Sequence, residues 1–259
     1  LSFDAHRFES LGANCEFGFF LQDHGNHETS LFKWAEVIGI DGLTRLLRND
    51  FEAMFAYENV VPFNASMVFD RSYWIAWHSK MQAEAADPTK PLSRMNARFS
   101  TPEPERRKLW NDQNAKLQHF VGKLRQGLRT GERIFVYKPR LQDAVTEEEI
   151  VTLGRTLRSF GSNTLLVVTL AERPDDVGTV RRIEAGLLRG FIDRFAPGDR
   201  ANDYSGEVWL RLCRAALEDV DRGAATEPAP SVTASIPGKA KSSAVAKALA
   251  RLRRWTGLR

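Results

Sequence analysis

The chain has 259 residues, of which 42% are hydrophobic, 10% aromatic and 27% charged, with a mean hydropathy of -0.37 and a net charge of +4. That is enough apolar chain for a real core, and it excludes a disulfide-held mini-protein, a collagen-like repeat and wholesale disorder; Cys15 and Cys213 are its only cysteines, and no apolar run reaches membrane-spanning length. The charge is uneven: from Gly223 onward seven basic residues stand against Glu227 alone, so the end of the chain carries +6 and the body before it -2. The basic pI near 9.2 belongs to that end, and a specific nucleic-acid partner is not expected of the body.

Elements follow in chain order. The opening Leu1-Ser2-Phe3-Asp4-Ala5-His6-Arg7 is charged and aromatic, has no apolar signal core and reads as a frayed start. Phe8 to Leu11 is an extended lead-in to a glycine turn at Gly12, with a helix from about Cys15. Arg71 to Met81 is rich in β-formers, and period two puts Trp74, Ala76 and His78 on one face of a strand. Glu103 to Leu128 is a long helix pattern. Arg133 to Tyr137 is a buried strand after the turn signal Thr130-Gly131. Thr146 with Glu149 three residues on is a capping box, and Ile150, Leu153, Leu157 and Phe160 follow at helical spacing before Gly161 closes the helix. Thr164 to Leu170 is a second buried strand. Strand, helix, strand in this order predicts a βαβ unit with parallel neighbours. Leu187 to Phe195 reads as a third strand and Val208 to Leu217 as a closing helix.

The expected fold is α/β: a single domain over residues 1–222 with a central, largely parallel or mixed sheet flanked by helices. Residues 223–243, small and proline-containing, read as a flexible linker. In residues 244–259, Val245, Leu249, Leu252 and Trp255 fall on one helical face, with Lys247, Arg251 and Arg254 opposite. That is a basic amphipathic helix, suited to peripheral membrane or protein contact.

The chemistry concentrates at Phe8 to Phe20, FESLGANCEFGFF. A thiol at a helix N-terminus meets the positive end of the helix dipole and free backbone N–H groups, so Cys15 is expected to ionise readily. Its N–H and the Asn14 side chain would stabilise an oxyanion. A thiolate nucleophile needs a base, and a strand-borne His78 facing the Cys15 helix would supply a cysteine–histidine arrangement. A small cysteine packed under the helix, and a histidine bonded in an aromatic cluster, are the plain alternatives. His24 and His27 beside Glu28 have weak metal-ligand spacing, and Gly25-Asn26 between them reads as a turn. His119 lies in the long helix. Cys213 sits in an apolar helix and reads as core. No Walker loop, dinucleotide fingerprint, HExxH or GxSxG motif occurs, so no cofactor or metal is expected.

Ser10-Leu11-Gly12-Ala13-Asn14-Cys15-Glu16-Phe17-Gly18 resembles the SLGxNC signature of a bacterial domain-of-unknown-function family described as papain-like cysteine peptidases. Phe32-Lys33-Trp34-Ala35, Trp77-His78, the RIFVYK and TLLVVTLAE strands and Gly190 to Pro197 are similar too, so the resemblance spans roughly residues 7 to 220. It implies Cys15 as nucleophile and His78 as base, in a cysteine-dependent hydrolase or acyl-transferase, with a role in bacterial surface-polysaccharide synthesis. Many members carry an aromatic–His–Asp element, whereas Ser79 follows His78 here. The local acid is absent, and Asp70 and Asn96 are candidates for the orienting group by position alone. That gap, with the basic end of the chain, keeps open a second reading: a non-catalytic binding or scaffold module. With no evident disulfide pair, a reduced, cytoplasmic setting is expected.

Overall fold

A computed structural model describes residues 3–140 and 143–226. The first half of the chain runs β1 (Phe8–Ser10), α1 (Glu16–Asp23), β2 (Ala35–Val37), α2 (Ile40–Arg48), β3 (Val60–Asn64), β4 (Met67–Asp70), β5 (Ile75–His78), β6 (Ala83–Ala85) and β7 (Ala97–Phe99). The second half runs α3 (Glu103–Thr130), β8 (Ile134–Tyr137), α4 (Glu147–Arg158), β9 (Thr164–Leu170), β10 (Val180–Glu184), β11 (Leu187–Ile192) and α5 (Gly206–Thr226).

Five strands make the central sheet, in the order β1-β8-β9-β11-β10. The first four are parallel and β10 joins antiparallel at the edge. The fold is therefore α/β with a mixed central sheet flanked by helices. The β8–α4–β9 unit is the expected right-sized βαβ element: β8 and β9 are parallel neighbours, Ile134 pairing with Thr164 and Tyr137 with Val167. Their continuous apolar sequences follow from burial on both faces. Ile134, Val136, Leu166 and Val168 pack toward Phe17 and Phe20 of α1 and Trp209 and Leu212 of α5. Phe135, Tyr137, Leu165 and Val167 point the other way, into a larger core shared with α2, α3 and α4. Cys213 is fully buried on α5, as its apolar setting predicts.

Of a second sheet the sequence predicts one strand alone, β5, within Arg71 to Met81. This sheet is antiparallel throughout, in the order β2-β5-β4-β3, and its inner residues Val37, Val68, Ile75 and Trp77 join the larger core. β6 and β7 form a small two-stranded ribbon.

Local chemistry accounts for the element ends. Thr146 accepts the Glu149 N–H, and Glu149 accepts the Thr146 N–H at 2.8 Å, the predicted capping box. α3 ends at Gly131, whose φ of 68° is the left-handed conformation of a helix stop. Three expectations are corrected. The start is not frayed: Asp4 accepts the His6 N–H at 2.9 Å, capping a short 3-10 turn at Ala5–Arg7 that buries Ala5. Trp74 is not in a strand: it takes a φ of 59° in the turn before β5 and is 48% exposed. The closing helix runs on through Thr226, because its apolar stripe continues past Leu217 to Val220, so residues 223–226 of the expected linker are helical. Residues 1–224 form one compact unit. The remainder of the linker and the amphipathic pattern of 244–259 lie outside the described residues. Among the described residues no helix is long and apolar enough to cross a membrane.

Candidate functional site

The carboxyl ends of parallel strands are where open α/β sheets place their ligands, and the SLGANC segment emerges there. β1 ends at Ser10, and the Leu11 N–H still donates to the Val136 carbonyl of β8 at 2.8 Å. The chain then turns sharply, with φ of 91° at Gly12 and 90° at Ala13. Gly12 is required: a Cβ there would lie 2.5 Å from Cγ2 of Val37. Ala13 holds a backbone conformation that non-glycine residues rarely adopt, a strain of about 1–3 kcal/mol that persists only where the surroundings over-determine it. Cys15 follows as the N-cap of α1, half-buried and with a free thiol.

The corner lies flat against the segment leading into β2. Gly12 touches Val37 and Ala35, and Gly18 sits against the Lys33 carbonyl, where a Cβ would come within 2.6 Å. Trp34 packs edge-on against Phe19, with ring centroids 5.1 Å apart. This contact brings Glu36 of β2 into electrostatic range of Cys15. The expected readily ionised thiol is corrected: burial pushes the Cys15 thiol above its ordinary value, and the Glu36 charge pushes it further the same way.

Glu36 is itself partly desolvated, which raises its carboxyl despite the opposing Arg140 charge. Arg140, just past β8, grips Asp143 through two bonds of 2.8 and 2.9 Å and reaches Glu36 at 3.5 Å. The Asn14 Oδ1 accepts the Glu16 N–H at 3.0 Å, so Asn14 closes the open end of α1 and only its Nδ2 could meet an oxyanion.

His78 ends β5 and its side chain is exposed. The register sets Ala35 against Trp77 and Glu36 against Ala76. His78 therefore shares a sheet face with Glu36 and stands diagonal to it, a relation that separates side chains by about 7–8 Å in antiparallel pairs. Among the described residues no hydrogen bond joins Cys15 to His78. The His78 carbonyl accepts from Gln113 of α3 at 3.1 Å, beside a shallow groove lined by Lys80, Asp112 and Lys116.

The two residues considered for orienting the imidazole are engaged elsewhere. Asp70 is fully buried and accepts the N–H groups of Phe55 at 2.7 Å and Ser72 at 2.8 Å, holding the turns around β4. Asn96 ties its own loop, accepting from the Asp87 N–H and donating to the carbonyls of Asp87, Lys90 and Pro91. His24 caps the far end of α1, with Nδ1 2.8 Å from the Phe20 carbonyl, and Gly25 makes the expected turn before His27.

Four residues near Cys15 escaped the sequence reading: Glu16, Glu36, Lys138 and Arg140. Lys138 and Arg140 carried a signal, being charges immediately after an apolar parallel strand, where ligand-side residues collect. Glu36 carried none, because β2 is three residues long. In comparisons with protein-family models, curated proteins and solved structures, the chain matches none of them.

Proposed function

We propose that the protein is a cysteine-dependent hydrolase or acyl-transferase with Cys15 as its nucleophile, the activity implied by its resemblance to the papain-like bacterial family. The observation that carries this reading is the placement of Cys15: a free thiol on a strained strand-to-helix corner, beyond the carboxyl end of β1 in a parallel sheet. In the proposed reaction the thiol gives its proton to His78 as sulfur attacks an acyl carbon. The Cys15 N–H and Asn14 Nδ2 stabilise the oxyanion. The tetrahedral adduct expels its leaving group, which takes the proton back from His78, and leaves a thioester on Cys15. Water or an acceptor then resolves the thioester.

Because the resting thiol is raised, this is a protonated cysteine deprotonated during the reaction rather than a standing ion pair. His78 would have to turn toward Cys15 over the Glu36 side of the sheet. Two unbridged cysteines suit the cytoplasmic placement, and a role in surface-polysaccharide assembly follows from the resemblance alone. The test is intact mass spectrometry after exposure to p-nitrophenyl acetate. One acetyl group should be retained on the wild type and on Cys213→Ser, and lost in Cys15→Ala and His78→Ala. Acetylation indifferent to Cys15 would end the proposal.

The raised thiol and the absence of a Cys15–His78 hydrogen bond favour one other reading, a binding or scaffold module in which Cys15 only packs the corner. Its mark would be a Cys15→Ser variant that keeps full biological function in the cell.

A further inference from the structure

The residue after Cys15 is the most deeply enclosed charge in this part of the fold. Glu16 is 0% exposed and Lys138 3%. The Glu16 Oε2 lies 3.1 Å from the Lys138 Nζ and accepts the Ala196 N–H at 3.1 Å, while its Oε1 accepts the Trp209 indole N–H at 2.9 Å. The Lys138 ammonium also stands 4.2 Å above the Phe195 ring. One carboxylate thus gathers donors from the end of β8, the loop after β11 and α5.

We propose that the Glu16–Lys138 ion pair is a positioning device that holds the strained corner in place and thereby fixes the depth and surroundings of the Cys15 thiol; this rests on the cysteine-dependent reading above. Stability is a poor reason for such a pair. Removing two charges from water costs several kcal/mol per ion, and neutral replacements of buried pairs are often as stable or more so. Direction is what the pair supplies. Gly12 and Ala13 hold strained backbone just upstream, and such strain needs surroundings that leave no alternative. Cys15 has no side-chain cap bond of its own, and the Asn14 bond reaches only the Glu16 N–H. The Glu16 carboxylate is the one group of the first turn anchored on three other elements. It prevents α1 from rotating about its axis, which would carry the thiol toward solvent and away from Glu36. Glu16 and Lys138 are positioning residues, since neither is placed to touch a substrate.

The experiment uses the full chain in a Cys213→Ser background with Glu16→Gln, Lys138→Met and the double variant. Urea unfolding and the pH dependence of Cys15 alkylation by iodoacetamide are read on each. The single variants should lose stability, because each strands a buried partner. The double should recover a midpoint near wild type, while its Cys15 alkylates up to about tenfold faster at pH 8, the gain given by a one-unit fall in thiol pKa. A double variant that recovers its midpoint and keeps the wild-type alkylation profile overturns the proposal. If the double does not fold, Trp209→Phe decides, since it removes one anchor and leaves the charges paired: a smaller shift in the same direction supports the device, and an unchanged profile in a folded Trp209→Phe protein rejects it. Alkylation reports on the thiol whether or not acyl transfer occurs, so failure of the acetylation test above and failure of this one are separate results.

Discussion

The Glu36 carboxylate stands close enough to the Cys15 thiol to oppose its ionisation, although the two residues lie on opposite sides of the contact between the β1–α1 corner and β2. Glu36→Gln removes the negative charge and keeps the shape. Arg140 retains its two shorter bonds to Asp143, so the fold should persist. The Cys15 thiol should then ionise at lower pH and alkylate several-fold faster near pH 8, within the roughly tenfold that one unit allows. Alkylation kinetics from pH 6 to 10 check this; a slower or unaltered rate would remove Glu36 from the site.

Both thiols are raised by burial, Cys213 most strongly because it is completely enclosed. A group whose folded pKa lies above its unfolded value stabilises fully below the unfolded value, about 8.5 for a thiol, and the contribution is lost as pH rises through the folded value. The protein should therefore lose stability progressively above about pH 8.5. Cys213→Ala should flatten that slope, at the cost of one small side chain in the core. Urea midpoints between pH 7 and 10 under reducing conditions measure both effects, and equal slopes in the two proteins would mean that Cys213 does not ionise on unfolding.

The middle of the central sheet was legible because β8 and β9 are buried on both faces and so appear as unbroken apolar runs, IFVY and TLLVVTL, separated by a helix with an unambiguous cap, whereas the edge strand β10, with Arg181 and Arg182 exposed, has no such run. The second sheet, apart from β5, was not legible, because its strands are three to five residues long and gain their identity from pairing across distant segments. The site divides in the same way. Cys15 stands out through its glycine turn, and His78 through its strand. The environment of Cys15 depends on Glu36, brought in by the unforeseen β2, and on burial of the thiol in the folded chain. Neither can be read from local spacing. The role of Glu16 depends on Trp209, 193 residues away, which donates its indole N–H to the carboxylate, and no local pattern shows that.

Two glycines separate backbone strain from steric exclusion. Gly12 and Gly25 have nearly the same φ, 91° and 89°, but a Cβ on Gly12 would strike Val37 while one on Gly25 meets nothing within 4 Å. Gly25→Ala should cost about 1 kcal/mol, the left-handed penalty alone. Gly12→Ala should cost that plus an overpacking term of about 1–3 kcal/mol, and should also change Cys15 alkylation because it displaces the corner. Chemical denaturation of the two variants makes the comparison. Equal losses would mean that β2 gives way easily and does not brace the corner.

Asp70 supplies a control on the site itself. Its carboxyl is raised by burial, although the Phe55 and Ser72 N–H groups both stabilise the charged form. Those bonds hold the backbone around Phe55 and Ser72, and Phe55 itself packs edge-on against Trp77 of β5. Asp70→Ala would strand a buried N–H and should cost about 1.5–3 kcal/mol, the range for a lost hydrogen bond to a charged group. The loss belongs to folding, so below the unfolding transition the pH profile of Cys15 alkylation, and its dependence on His78, should match wild type. Urea unfolding and alkylation of the same preparation give the answer. A stable Asp70→Ala protein with an altered Cys15 profile would return Asp70 to consideration as the group that orients the imidazole.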